Sequence, residues 1–227
     1  FSSCSHDKEF DERQYINVLK NSNLIKNFVF PNFNDFIKDI DKTIWIQDEP
    51  YLGSSIFAEY SIYKAMKDKN YKISLDGHGA DEIFYGYESF IFLNNYNNLK
   101  KLKIISVIKS IINLKKYRNY NYIFTIKNIF KYFFKTYLIF RILNFLKYKK
   151  INPSWLNSQF KKTDNKNLFF EKKLNDLSLN QLTKTTLPVQ LHWADRDSMY
   201  HSIESRSPYL DYIIIELIIN LPNEYKI

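Results

Sequence analysis

At 227 residues the chain is long enough for one sizeable α/β domain rather than two, and its lone cysteine, Cys4, excludes an internal disulfide framework. The net charge of +9 suggests nucleic acid or a membrane surface until its position is considered: residues 91–185 hold 20 Lys and Arg against 3 Asp and Glu, so the rest of the chain is acidic. With no signal peptide the chain reads as cytoplasmic.

Phe1 to Ser5 reads as a short buried strand and Phe10 to Lys20 as a helix carrying Tyr15, Ile16, Val18 and Leu19. Cys4 has no neighbouring base and is a small buried thiol rather than a nucleophile. Asn27 to Pro31 is a second strand, followed by a helix from Asn32 to Ile46 with Phe33, Phe36, Ile37, Ile40, Ile44 and Trp45 at helical spacing. Pro50 and Gly53 then stop the chain, and Ser54 or Ser55 caps a helix to about Lys69.

The strand Lys72–Leu75 leads into Asp76-Gly77-His78-Gly79-Ala80-Asp81-Glu82, the centre of the sequence. Two glycines after a β-type run and before an acidic, helix-compatible stretch describe a strand–loop–helix turn. Glycine lets the backbone approach an anion, helix-start amides point at it, and a carboxylate just beyond can hold the magnesium that phosphates bring. The alternation of strands and helices to this point predicts a parallel sheet covered on both faces.

Residues 91–185 are rich in Lys, Asn, Ile, Tyr and Phe, with helices predicted over Ile104–Leu114 and Tyr122–Leu146. The second carries Phe130, Phe133, Phe134, Leu138, Ile142 and Phe145, but Lys127, Lys131, Lys135 and Arg141 interrupt every possible membrane span. A helical insertion beside the core, its lysines solvated, is expected in preference to a nucleic-acid or membrane-surface helix. Pro188 sits in the first turn of a helix through Trp193 towards Tyr200, which places Asp195 and Arg196 on a buried helix. Pro208 to Asp211 begins a last helix with Ile213, Ile214, Leu217 and Ile218 as its core face.

Two stretches carry a family resemblance. Asp76 to Tyr87 resembles the second signature of the ATP-pyrophosphatase domain of the asparagine synthetase family, Ser/Asp-Gly-x-Gly-x-Asp-Glu-x-Phe-x-Gly-Tyr. Asp195 to Asp211 is similar to the family's Asp-Arg-x-Ser-Met-x-His-Ser-x-Glu-x-Arg-x-Pro-Phe-Leu-Asp. The resemblance implies a parallel sheet flanked by helices, of the adenine-nucleotide alpha-hydrolase kind, with the basic helical insertion at 91–185. It implies a glutamine-hydrolysing ligase that adenylates the aspartate side chain with ATP and Mg2+ and transfers glutamine-derived ammonia to it, giving asparagine, AMP and pyrophosphate.

Carried onto this sequence, Asp81 matches the magnesium ligand, and Asp76, Gly77 and Gly79 match the loop at ATP. Ser3 either faces adenine through its backbone or is a plain strand residue. Asp48 and Glu49 lie at the mouth of the substrate site or in a solvated turn, and Arg196, Glu204 and Arg206 reach the ligand or pair among themselves. His78 stands where asparagine synthetases commonly have an acid and a β-lactam synthetase relative has the tyrosine of a catalytic dyad. Asp195 matches that dyad's acidic partner, so His78 and Asp195 are expected to pair as the proton acceptor and its anchor.

The family's first signature, Ser-Gly-Gly-x-Asp-Ser, does not occur in these residues, nor does the amino-terminal glutaminase domain, and the family's late lysine would fall beyond Ile227. A fragment of a longer protein is therefore expected, with a homodimer among the assemblies the resemblance allows. Two other readings stand beside this one: a related amidotransferase acting on a surface sugar or secondary metabolite, and an inactive relative whose basic helices bind nucleic acid or membrane.

Overall fold

The computed structural model describes residues 1–7, 11, 13–18, 23–51, 53–118, 120–136, 171 and 173–226. The chain forms two compact units: Phe1–Gly79 with Thr183–Ile215, and Ala80–Leu182 with Glu216–Ile227. The second therefore begins at Ala80, ahead of the insertion boundary expected at Ile91, and takes in the end of the chain as well.

In the first unit, β1 (Ser2–Ser3) pairs in parallel with β2 (Phe28–Val29), and between them lies the short helix α1 (Arg13–Ile16). Helix α2 (Phe33–Gln47) starts where Asn32 caps it, the side-chain oxygen accepting the Asp35 amide at 3.0 Å. Its buried face differs from the expected apolar stripe. Thr43, Ile46 and Gln47 are buried while Phe33, Ile37, Ile44 and Trp45 are exposed. Two polar residues go inward because both find partners: the Thr43 hydroxyl donates to the Ile40 carbonyl at 2.9 Å, and the Gln47 amide donates to the Asp197 carboxylate at 2.9 Å. Periodicity of apolar residues cannot register that.

Helix α3 (Ser55–Asp68) buries Ile56, Phe57, Tyr60, Tyr63 and Met66. Asn70 follows it in the left-handed region at φ 63°, with its amide on the Lys67 carbonyl and that of Tyr71 on Met66, the paired bonds of a Schellman stop. That stop turns the chain into β3 (Ile73–Leu75). Helix α9 (Thr186–Tyr200) ends in the same way, with Ser202 at φ 59° and the amides of Ser202 and Ile203 on the carbonyls of Met199 and Ser198. The fully buried Ile203 then delivers β4 (Glu204–Arg206), which pairs in parallel with β3, Ile73 opposite Glu204 and Leu75 opposite Arg206. The unit is thus α/β with parallel strands, as expected, but among the described residues they form two separate two-stranded pairs instead of one continuous sheet.

The second unit is helical: α4 (Ala80–Phe84), α5 (Glu88–Lys100), α6 (Ile104–Arg118), α7 (Tyr122–Thr136) and α8 (Leu174–Thr183, the last residue falling to the first unit). Phe92, Val107, Leu114 and Ile129 form one core between α5, α6 and α7, and Tyr85, Phe90, Leu93, Tyr96 and Leu174 form another. Of the stripe expected on the second basic helix, Phe130 is 47% exposed because Thr125, Asn128 and Ile129 take the packed face. The side chains of Phe133 and Phe134 and the positions of Leu138, Ile142 and Phe145 lie outside what is described. Among the described residues no helix is long and apolar enough to cross a membrane.

The division between the units falls within the last helix, α10 (Tyr212–Asn220), which follows a 3₁₀ turn at Pro208–Leu210. Its expected core face is corrected: Ile218 is buried, but Ile213, Ile214 and Leu217 are exposed, because no described element covers that side of the helix.

Candidate active site

Leu75 ends β3, and the loop Asp76–Gly79 leaves from its carboxyl end, the position where open α/β folds bind ligands. Asp76 fixes the loop to the strand pair. Its amide donates to the Arg206 carbonyl at 2.8 Å, and its carboxylate accepts from Tyr63 Oη at 2.7 Å and from the hydroxyls of Ser74 and Ser205. Three hydroxyl donors disperse the carboxylate's charge without adding a counter-ion.

The two loop glycines have different reasons. A Cβ on Gly77 would meet nothing within 4 Å, so its backbone faces open space that a bound group can approach. Gly79 has φ +90°, and a Cβ there would come within 2.3 Å of the Leu210 side chain, so both conformation and packing require glycine.

The loop borders a cavity of about 440 Å³. Its lining mixes polar residues, Glu59, Tyr63, Ser74, Asp76, Gly77 and His78, with apolar ones such as Phe1, Ile62, Met66 and Leu75. His78 is turned towards α3, its Nε2 lying 3.5 Å from Glu59 Oε1, with the two side chains 19% and 23% exposed. His78 Nδ1 is enclosed and has no hydrogen-bond partner. Burial, then the nearby carboxylates of Asp197 and Asp76, push the Glu59 carboxyl up to about 8.

Helix α9 turns Leu187, Ala194, Asp197 and Ser198 inward. Residues two apart on a helix point about 200° from each other, so Asp195 faces outward while Asp197 is fully buried. Asp197 Oδ1 accepts the Gln47 amide, Oδ2 has no partner, and burial raises its carboxyl to about 7 against the opposing effect of the Gln47 bond. At the end of the same helix His201 is buried, its Nδ1 2.8 Å from the Asp197 carbonyl, and burial lowers its pKa.

In the second unit Asp81 lies in the first turn of α4 and is exposed. Tyr85 stops that helix at φ 63°, and the Gly86 amide returns to the Asp81 carbonyl at 2.9 Å. A Cβ on Gly86 would lie 2.0 Å from Asp81 Oδ1, so the glycine of the motif clears the place the carboxylate occupies. Glu82 is buried and accepts the Tyr87 hydroxyl at 2.9 Å, and its carbonyl accepts from Ser178 at 2.8 Å.

The asparagine synthase family model matches residues 1–227. The chain belongs to the asparagine synthase family. It is 31% identical over 117 residues to a putative glutamine-hydrolysing asparagine synthetase 2 of Methanocaldococcus jannaschii, a match over 50% of this chain and 22% of that protein. No solved structure matches.

Set against the family's pattern, the cavity gathers Asp76, Gly77 and His78 but is not lined by Ser3, Gly79, Asp48, Glu49, Asp195, Arg196, Glu204 or Arg206. Ser3 is a partly buried strand residue opposite Val29. Asp48, the left-handed cap of α2, pairs with Arg196, and Glu49 Oε1 lies 3.9 Å from His192 Nε2. Arg206 Nε donates to Glu204 at 2.9 Å on the exposed strand β4.

The expected pairing of His78 with Asp195 is not made. His78 meets Glu59 instead, and the exposed Asp195 carboxylate has no partner among the described residues. Sequence reading passed over Glu59, Tyr63, Asp197 and Gln47. The signal for Glu59 was a carboxylate set within Ile56-Phe57-Ala58-Glu59-Tyr60, and Tyr63 lies one turn later on the same face.

Proposed function

We propose that the protein of which this chain is part is an ATP-dependent amide-forming ligase that makes asparagine from aspartate and glutamine-derived ammonia, releasing AMP and pyrophosphate. The observation that carries this is the glycine loop at the end of β3, open at Gly77 and facing a half-polar cavity with His78 at its edge, in a chain of the asparagine synthase family.

The residues present fit a nucleotide. The apolar residues in the cavity lining suit a base, and the unobstructed backbone at Gly77 suits phosphate oxygens. A carboxylic acid is a poor acyl donor, and ATP supplies the leaving group, with magnesium offsetting the phosphate charge. Asp81 is the residue assigned to that metal, one exposed carboxylate being the usual protein share of a magnesium site that phosphates complete. Asp76 accepts three hydroxyls, which commits its carboxylate to holding the loop rather than to the metal. Ser3 and Gly79 serve the nucleotide by shaping backbone, Asp48, Glu49, Arg196, Glu204 and Arg206 serve the acceptor side, and His78 takes the proton that the attacking nitrogen loses. On this reading the glutaminase domain lies elsewhere in the full-length protein, which works in the cytoplasm.

A second reading, transfer of the amide nitrogen to another carboxylic acid, is favoured by a histidine paired to Glu59 where the family commonly has an acid. The test is product analysis with the full-length protein, ATP and glutamine. Asparagine formed from aspartate supports the first reading, and AMP formation with another acid alone supports the second.

A further inference from the structure

We propose that Glu59 is the acid partner of His78, a positioning residue that shares one proton with the imidazole between Oε1 and Nε2 and so sets which ring nitrogen is free to take a proton. The inference rests on the reading of His78 as the base of this site.

Three observations carry it. The Glu59 carboxylate, on helix α3 beside the loop, lies 3.5 Å from His78 Nε2. The other ring nitrogen, Nδ1, is enclosed without a partner, which is the arrangement of a nitrogen held in reserve for a donor the free protein lacks. Both residues border the same cavity as Asp76 and Gly77.

The charged and titratable groups facing Glu59 are Asp76 from the loop, Asp197 from α9 and Tyr63 from its own helix; burial, then the carboxylates of Asp197 and Asp76, favours its neutral form, while Tyr63 stays protonated. Glu59 is therefore a good final holder of a proton.

With Glu59 ionised, Nε2–H faces Oε1 across 3.5 Å, a gap that closes by a few tenths of an ångström when the hydrogen is donated, and the lone pair is on Nδ1. When the amine attacks the activated carboxyl, the C–N bond forms and the C–O bond to phosphate breaks with its electron pair on that oxygen. The proton lost by nitrogen goes to Nδ1 while the Nε2 hydrogen passes to Glu59. The pair gains one proton and the imidazole ends uncharged. Amide formation therefore rises with pH to a plateau above about 8, where Glu59 is ionised.

The test is ¹⁵N-histidine NMR of the full-length protein without nucleotide, His78 being assigned by its loss in His78→Gln. In the wild type the two ring nitrogens exchange protonated and lone-pair shifts in one step that accompanies loss of the proton from Glu59, a carboxyl that burial and nearby carboxylates push up to about 8. Glu59→Gln abolishes the step, Glu59→Asp keeps it, and Asp195→Asn leaves it unchanged. In activity, Glu59→Gln lowers kcat about tenfold or more with little change in KM for ATP, and Glu59→Asp recovers part of the loss. A step that persists in Glu59→Gln, or wild-type shifts that do not move near pH 8, overturns the pairing. Because the NMR result needs no turnover, an absence of amide synthesis would count against the proposed function alone.

Discussion

At the scale of single residues, the two motif glycines that a structure can explain make the sharpest statements. Gly86 is the neighbour that a side chain would drive into Asp81, at 2.0 Å from its Oδ1. If Asp81 holds the metal, Gly86→Ala should cost activity as Asp81→Asn does, by about a hundredfold or more in pyrophosphate release, with ATP binding weakened and the fold retained in Asp81→Asn. Unchanged pyrophosphate release in Asp81→Asn would refute that assignment. Gly79→Ala should instead destabilise, because φ +90° and the Leu210 contact both resist a Cβ, and thermal unfolding of the variant is the check. The loop glycines and Asp81 were legible in the sequence because their spacing is the motif. The partner of His78 was not, since a pairing between α3 and the loop depends on which face α3 presents, and Glu59 is a lone acid in an apolar run.

At the scale of elements, the Asp195–Asp211 stretch turns out to be largely a helix stop. Ser198, Met199, His201, Ser202 and Ile203 build the Schellman turn that passes α9 into β4. The loop after β3 and the start of α2 near Asn32 were readable from local chemistry, whereas the strand β4 and the division of the strands into two pairs were not. Asn32→Ala should cost about 1 kcal/mol, measurable by chemical denaturation. The buried faces of α2, α7 and α10 were less readable. In α2 the inward positions are filled by Thr43 and Gln47, whose hydroxyl and amide bond to Tyr51 and Asp197 on other segments, and the apolar residues counted instead lie outside. On the basic helix α7, Lys127 is exposed, and Lys127→Gln should leave amide synthesis within about twofold of wild type.

At the scale of the whole molecule, buried acids tie stability to pH. The Asp197 carboxyl rises from 3.8 to about 7 on folding, because burial opposes its charge. The folded state therefore binds the proton more tightly than the unfolded one, and the stabilisation is fully present below the unfolded value and is lost as pH rises through about 7. The slope reaches at most about 1.4 kcal/mol per pH unit for one such group. Asp197→Asn should flatten that fall and gain on the wild type at pH 8, while equal pH slopes in thermal unfolding would show that Asp197 is not the source. The match covers 22% of the Methanocaldococcus jannaschii protein, so the proposed activity is to be tested in the full-length protein. The most direct measurement is acid-dependent exchange of labelled pyrophosphate into ATP by the full-length protein with magnesium present. The account predicts exchange that requires aspartate or another carboxylic acid and is lost in Asp81→Asn. Tight ATP binding with no exchange for any acid offered, or exchange undiminished in Asp81→Asn, would contradict it.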